Sequence, residues 1–417
     1  MKNKIEFYSV KDFKLLNLFF KSYFGKYLFN RKKYHRYSIF GKSSIYKSIK
    51  MRYQVGLTKV VKHQNKFFSC ISVPAYPSAA FDNMRAKGGF NFGDAGTDKK
   101  PFIDLILLAI TSRCPLDCKH CYEKLNVNNG EDIPADVWIR TIKEIQNYGV
   151  GVIVLTGGEP LADFHKTLTI LKSIDKNLSE VHLHTSGTGI TKEKAELLKA
   201  YGLSAVFIGL DDYQKEDNNF FRGKGAYDNA VNAIKIFNEA GILTCTNICL
   251  SKGLVHSGGL WKYLEFVKGL NVAITHLIEP KLCGGFNEST NILFKEEEKK
   301  IIKDFILEVN SNAKYLDYPL VYSTNFTENK DNYGCMMGGL SHLYINSKGY
   351  LNPCVFLPVR FGNIKEKSFL DIYKEVRKAI PHPLKECAGD YIPLHAAEKK
   401  QFYEFDEVKD VWEEMYK

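Results

Sequence analysis

The sequence predicts an α/β fold on a parallel sheet wound in one sense. Two observations carry that expectation. Between residues 102 and 278, apolar runs of strand length recur, with helical patterns separating most of them. The first two runs deliver the chain straight into a cysteine loop and a Gly-Gly turn, and in wound parallel sheets chemistry gathers at the carboxyl ends of the strands. The right-handed crossover rule fixes the sense of winding.

In order, FIDLILLAI (102–110) leads into TSRCPLDCKHCYEKL. A helix follows over about 134–148, with Pro134 near its start and Val137, Ile139, Ile142 and Ile145 among its apolar positions. VIVLT (152–156) runs into GGEP, and VHLHT (181–185), AVFIGL (205–210), ILTCTNICL (242–250) and VAITHLI (272–278) continue the series, with AYDNAVNAIKIFNEAG from Ala226 as a helix between two of them. In the last third, LSHLYINSKGYLNPC reads as a hairpin turning at Ser347-Lys348-Gly349.

Composition sets the class. At 417 residues, 45% hydrophobic and 25% charged, the chain is a soluble globular protein with room for two or three domains. Its ten cysteines do not point to disulfides, because the chain is long, no signal peptide opens it and three thiols sit in a metal-type cluster. A reducing cytoplasm follows. Residues 1–60 hold 15 Lys and Arg against Glu6 and Asp12, a net of +13, which leaves −2 for the other 357.

The basic segment is also rich in rings. Phe19, Phe20, Tyr23, Phe24, Tyr27 and Phe29 crowd together, with Leu16, Phe20, Tyr23 and Tyr27 at helical spacing. Lys11, Lys14, Lys21 and Lys26 interrupt it, so no run reaches the length of a spanning helix. Two readings stay open: an arm that meets an anionic membrane surface or partner, or rings that pack on the main domain while the lysines face water. Pro74, Pro77 and the stretch Gly88–Lys100 mark a connection. The expected division is a basic aromatic segment (1–73), a linker (74–100), a core (101–315) and a C-terminal extension (316–417).

The chemistry starts at Cys114, Cys118 and Cys121. Structural zinc takes four protein ligands, and His120 is badly placed as a fourth. Three thiolates on a [4Fe–4S] cubane leave one iron open, which suits catalysis better than electron storage. The remaining reading is three buried or redox-active cysteines of no joint purpose.

C-x3-C-x2-C after the first strand, the ring of His120 before the third cysteine, and Gly157-Gly158-Glu159-Pro160 after the second strand together resemble the radical S-adenosylmethionine (SAM) enzymes, over roughly residues 101–285. The resemblance implies a partial (β/α)6 barrel whose three cysteines hold a [4Fe–4S] cluster while SAM chelates the fourth iron. One electron then yields a 5′-deoxyadenosyl radical that takes hydrogen from the substrate. It also implies that Gly157, Gly158 and Glu159 line the SAM amino group, His120 lies by the adenine, Thr185 and Ser186 meet the ribose, and Arg222 meets the carboxylate. Thr185 and Ser186 could equally be turn residues and Arg222 a solvated cation. GLDD carries Gly209 where many members have serine.

Cys335-x2-Gly338, Gly349-x4-Cys354 and Gly362-Asn363-Ile364 resemble the SPASM or Twitch extension, which binds an auxiliary iron–sulfur cluster. A full extension has seven cysteines. Here Cys335, Cys354 and Cys387 suggest one shortened [4Fe–4S] site, with His382, Asp390 and His395 as candidate fourth ligands; the alternative is Cys335 and Cys354 facing each other across a hairpin without metal. Cys70, Cys245, Cys249 and Cys283 read as structural.

The implied function is reductive cleavage of SAM and hydrogen abstraction from a peptide or protein side chain, an oxidoreductase or bond-forming reaction. A flavodoxin or ferredoxin would donate the electron. A membrane lipid or membrane-held substrate is the second reading, and a non-catalytic two-cluster electron carrier the third. No nucleic acid partner is expected. The expected location is the cytoplasm, at the inner face of the membrane if the arm is interfacial. No catalytic side chain is singled out.

Overall fold

A computed structural model describes residues 5–9, 56, 58–87, 103–327, 334–335, 338–385, 387–398 and 400–415. The aromatic cluster between Leu16 and Phe29, the lysines that interrupt it and the Gly88–Lys100 stretch lie outside these residues.

The strands are β1 (Ile5–Ser9), β2 (Lys59–His63), β3 (Lys66–Phe68), β4 (Leu105–Thr111), β5 (Val152–Gly157), β6 (Glu180–Thr185), β7 (Ala205–Gly209), β8 (Leu243–Cys249), β9 (Ile274–Ile278), β10 (Leu320–Tyr322), β11 (His342–Ile345), β12 (Leu351–Asn352), β13 (Val359–Arg360) and β14 (Tyr403–Glu404). Nine of them form the main sheet in the order β10-β9-β8-β7-β6-β5-β4-β11-β12. Every neighbouring pair is parallel except β11 with β12. The α/β fold with a parallel, one-sense sheet is therefore present, and β4 to β9 fall on the six apolar runs.

Burial on both faces explains why these runs lack a polar alternation. Along β4, Ile106, Leu108 and Ile110 point to the large core shared with the helices, while Leu105, Leu107 and Ala109 join Val152, Val154 and Tyr344 on the concave face. The helix Ala135–Tyr148 packs its apolar stripe onto the outer face and stops at Gly149, whose φ of 112° suits a residue without a Cβ.

Three features depart from a plain wound sheet. The C-terminal hairpin does not stand apart: β11 pairs in parallel with β4, so the tail extends the main sheet beside the cysteine loop. β1, β2 and β3 form a separate antiparallel sheet. Its Val61 and Phe68 pack with Phe207, Leu243, Ile274 and Leu320 and close the N-terminal end of the main strands. Finally, residues 79–87, expected as connection, form the helix Ala79–Lys87. Ser78 Oγ accepts from Phe81 N at 3.0 Å, and Met84 is buried against the plug. One-sided apolar content is enough for a short helix when a tertiary surface receives it.

Candidate active site

The cysteine loop leaves β4 at Thr111 and is pinned at once. Asp132 accepts from Thr111 Oγ1 (2.6 Å), Ser112 N (2.7 Å) and Ser112 Oγ (2.6 Å). Asn128 brackets the first cysteine, accepting from Cys114 N at 3.0 Å and donating to Cys114 O at 2.9 Å. Cys114, Cys118 and Cys121 open onto one cavity of about 210 Å³ above the carboxyl ends of the strands. Among the described residues no three His, Cys, Asp or Glu side chains converge on a single-ion site. Three thiols on one short loop at one cavity are a donor set that suits a [4Fe–4S] cluster with one iron left open. Burial pushes the thiols of Cys114 and Cys121 up to about 11 and about 12, so a metal held there would have to draw off their protons.

Two glycine pairs clasp this loop. Gly158 N donates to Thr111 O (2.8 Å) and Glu159 N to Arg113 O (2.7 Å), and a Cβ on Gly158 would stand 2.4 Å from Arg113 O. On the other side Gly285 N donates to Cys121 O at 3.0 Å, and a Cβ there would fall 2.0 Å from Lys119 O. Side chains at these positions cannot coexist with the loop path. The first pair was singled out from sequence; the second, in an unremarked loop after β9, was not.

Glu159 is fully buried and acts as a hub. Oε1 accepts from Leu161 N (2.9 Å) and Thr185 Oγ1 (2.6 Å), and Oε2 from Ser186 N (2.7 Å) and Ser186 Oγ (2.5 Å). Burial raises its pKa and the hydrogen bonds oppose that rise. The carboxylate ties the ends of β5 and β6 together, so Gly157, Gly158, Thr185 and Ser186 come to one rim of the cavity.

His120 and Arg222 reach the same cavity through a residue the sequence did not mark. Asp211 lies 3.2 Å from His120 Nε2 and takes Arg222 in a two-point contact, Nη2 to Oδ1 at 2.8 Å and Nε to Oδ2 at 2.6 Å. Arg222 is thus a buried, paired cation and not a solvated one. Burial pushes the His120 imidazole down to about 4 despite the carboxylate, so it is neutral at physiological pH. Gly209 now has a physical reason: a Cβ would stand 2.2 Å from Arg222 Nη1, and the guanidinium is held in place by Asp211. The serine common in the resembling family has no room here.

The floor is lined by a polar row that inward-facing alternation on β6, β8 and β9 could have revealed. Asn247 bridges His184 Nδ1 (3.4 Å) and His276 Nδ1 (3.1 Å), and His276 Nε2 lies 3.2 Å from Thr324 Oγ1. Burial holds His184 and His276 down at about 3, as neutral rings. Cys249 and Cys283, read as structural, also line this cavity.

The tail meets the loop directly. Glu123, two residues past Cys121 and fully buried, accepts from the Tyr344 hydroxyl and from Ser347 Oγ at 2.9 Å. Val355 and Phe356, which follow Cys354, line the same cavity, and the Phe356 ring meets Tyr122 edge-on at 6.3 Å. Cys335 N donates to Leu384 O at 2.8 Å, and Cys387 caps the helix Ala388–His395. Of the candidate fourth ligands, His382 and His395 are exposed, the latter stacked on Tyr391 at 4.0 Å. Asp390 is taken by Lys281 Nζ at 2.6 Å. Lys281 is itself buried, its pKa raised by Cys387, Asp390 and Glu279 against the cost of burial.

Comparison with known proteins agrees with this geometry. Residues 108–257 match the Radical SAM superfamily and residues 335–389 an iron–sulfur cluster-binding domain, SPASM. Among curated relatives, the Fe-coproporphyrin III synthase of Methanosarcina barkeri is 27% identical over 314 residues, 69% of this chain and 77% of that protein. The sporulation killing factor maturation protein SkfB of Bacillus subtilis is 24% identical over 279 residues, 65% of this chain and 64% of that one. Among solved structures, Streptococcus suis SuiB bound to precursor peptide SuiA superposes with a TM-score of 0.56 at 20% identity, over 73% of this chain and 75% of that chain, a likeness of fold. No helix among the described residues is long and apolar enough to cross a membrane. Residues 108–257 thus form a radical SAM domain and residues 335–389 a short SPASM domain, and the two domains imply SAM and a SAM-binding [4Fe–4S] cluster as cofactors.

Proposed function

We propose that the protein cleaves SAM reductively and takes hydrogen from a side chain of a peptide or protein. The observation that carries this reading is the shared cavity, where three loop thiols face the Gly157–Gly158 rim and the His184–Asn247–His276 floor, with Glu159, expected to line it, buried behind the rim. Cys114, Cys118 and Cys121 would hold the cluster, and the rim with His120 and Arg222 would hold SAM. When bound, these groups supply one-electron sulfonium cleavage and a 5′-deoxyadenosyl radical. The chain's own residues orient and exclude water: Asp211 fixes His120 and Arg222, Glu159 fixes the rim, and the neutral histidine row presents hydrogen bonds without charge.

Peptide-modifying relatives such as SkfB, and the peptide-bound SuiB, support a peptide substrate. The cavity supports it too. Its cations are internally paired, Arg222 with Asp211 and Lys281 with Asp390 and Glu279. Cys335, Cys354 and Cys387 would hold the auxiliary cluster, and a flavodoxin or ferredoxin would supply electrons.

The test uses anaerobically reconstituted protein with dithionite, SAM and a deuterium-labelled peptide extract. Release of 5′-deoxyadenosine carrying deuterium is expected, and replacing Cys114, Cys118 and Cys121 by Ala should abolish it. Release that persists in that variant overturns the site, and deuterium drawn only from labelled lipid overturns the substrate.

The net charge of +13 over residues 1–60 favours a second reading, a substrate held at an anionic membrane. It expects co-sedimentation with anionic but not zwitterionic vesicles, weakened by salt and lost on deleting the arm. Equal binding with and without the arm removes this reading.

A further inference from the structure

The tail offers three thiols. Of its candidates for a fourth ligand, His382 and His395 are exposed, and Asp390 holds Lys281 through Oδ2 while its Oδ1 is buried without a hydrogen-bond partner. A further thiol approaches from the barrel instead. Cys283 follows β9 in the loop that carries Lys281, is 7% exposed, and lines the cavity wall together with Val355 and Phe356, the residues next to Cys354.

Two contacts hold Cys283 in that place. Cys283 N donates to Lys281 O at 2.8 Å, and Lys281 Nζ is 2.6 Å from Asp390 Oδ2, which fastens the segment to the helix that Cys387 caps. On its other flank, Gly285 N reaches Cys121 O at 3.0 Å. The barrel loop is therefore clamped between the first cysteine group and the tail. Cys354 Sγ accepts from Phe356 N at 3.5 Å, which sets that thiol beside the wall that Cys283 and Phe356 share.

We infer that Cys283 is the fourth thiolate of the auxiliary cluster, joining Cys335, Cys354 and Cys387 from the barrel side. The inference rests on the reading that these tail cysteines hold a [4Fe–4S] cluster. A fourth protein thiolate closes the cluster, leaves no open iron for substrate, and so gives the auxiliary site an electron-relay role. It also makes folding of the tail onto the barrel part of cluster assembly, since three ligands belong to the tail and one to the barrel.

The test uses the full chain with Cys114, Cys118 and Cys121 replaced by Ala, reconstituted so that only auxiliary iron remains. This parent should hold about four irons, and adding Cys283→Ala should lower the content to about three, with a [3Fe–4S]-type electron paramagnetic resonance signal on oxidation. Cys283→Ser, which keeps an oxygen ligand, should retain about four irons with a shifted Mössbauer spectrum, and so guards against loss through misfolding. Cys245→Ala, at another buried thiol, should leave both readouts unchanged. An unchanged spectrum in Cys283→Ala and Cys283→Ser overturns the ligand assignment while the auxiliary cluster stands. A parent without iron overturns the assignment and the tail reading together.

Discussion

The two cysteine groups are built on opposite principles. Cys114, Cys118 and Cys121 sit within eight positions of one loop, and that loop is pinned by Asp132, Asn128 and the two glycine pairs. Cys335, Cys354 and Cys387 come from three separate segments of the tail, Cys335 bridged to Leu384 and Cys354 following the β11–β12 hairpin. A local chelate costs little chain entropy to assemble, whereas a dispersed one must first close long loops. The first group is therefore preorganised by its own neighbourhood, and the second depends on the tail docking against β4.

The hardest way to break this contrast is to remove one group at a time. Replacing Cys335, Cys354 and Cys387 by Ala should cost about four irons while 5′-deoxyadenosine release from SAM survives, uncoupled from substrate turnover. Iron analysis alongside product chromatography reads both. Loss of SAM cleavage in the tail variant would show that the groups are not independent.

The same contrast explains what was legible in the sequence. β4 to β9 were readable because strands buried on both faces leave unbroken apolar runs, and the first chelate because it is contiguous. Asp211 and Gly284-Gly285 were not, since each gains meaning only from a partner elsewhere in the chain: Arg222 for the first, Lys119 and Cys121 for the second. The parallel pairing of β11 with β4 was hidden likewise, because alternation marks a hairpin without saying which sheet receives it.

A smaller perturbation separates loop path from ligand identity. Gly285→Ala keeps every thiol but sets a Cβ 2.0 Å from Lys119 O, so the cysteine loop must move. A cost of about 1–3 kcal/mol in apoprotein stability is expected from such overpacking, with lowered iron at the first site and unchanged iron at the second. Gly253→Ala, whose Cβ would meet nothing nearer than Ser251 Oγ at 3.9 Å, is the control and should be neutral or stabilising by about 0.5–1 kcal/mol.

The mildest test addresses the joint between the groups. Glu123 follows the first group, and its carboxylate accepts from Tyr344 and Ser347 in the hairpin that leads to Cys354. Burial raises its pKa, partly offset by those hydrogen bonds. A carboxyl raised in the folded state binds its proton more tightly there than in the unfolded chain, so its contribution to stability is full below the unfolded value and is lost as pH rises through the folded value. The apoprotein should therefore lose stability from this group between the ordinary Glu range, about 4.3, and its raised folded pKa. Glu123→Gln cannot ionise, so the difference in Tm between the variant and the parent should shift in favour of the variant as pH is raised across that window. Melting followed by circular dichroism at matched ionic strength checks the sign. A parallel pH dependence of the two proteins would mean that the joint is held by the Tyr344 and Ser347 contacts whatever the charge on Glu123, and that docking of the tail is insensitive to proton binding at that position.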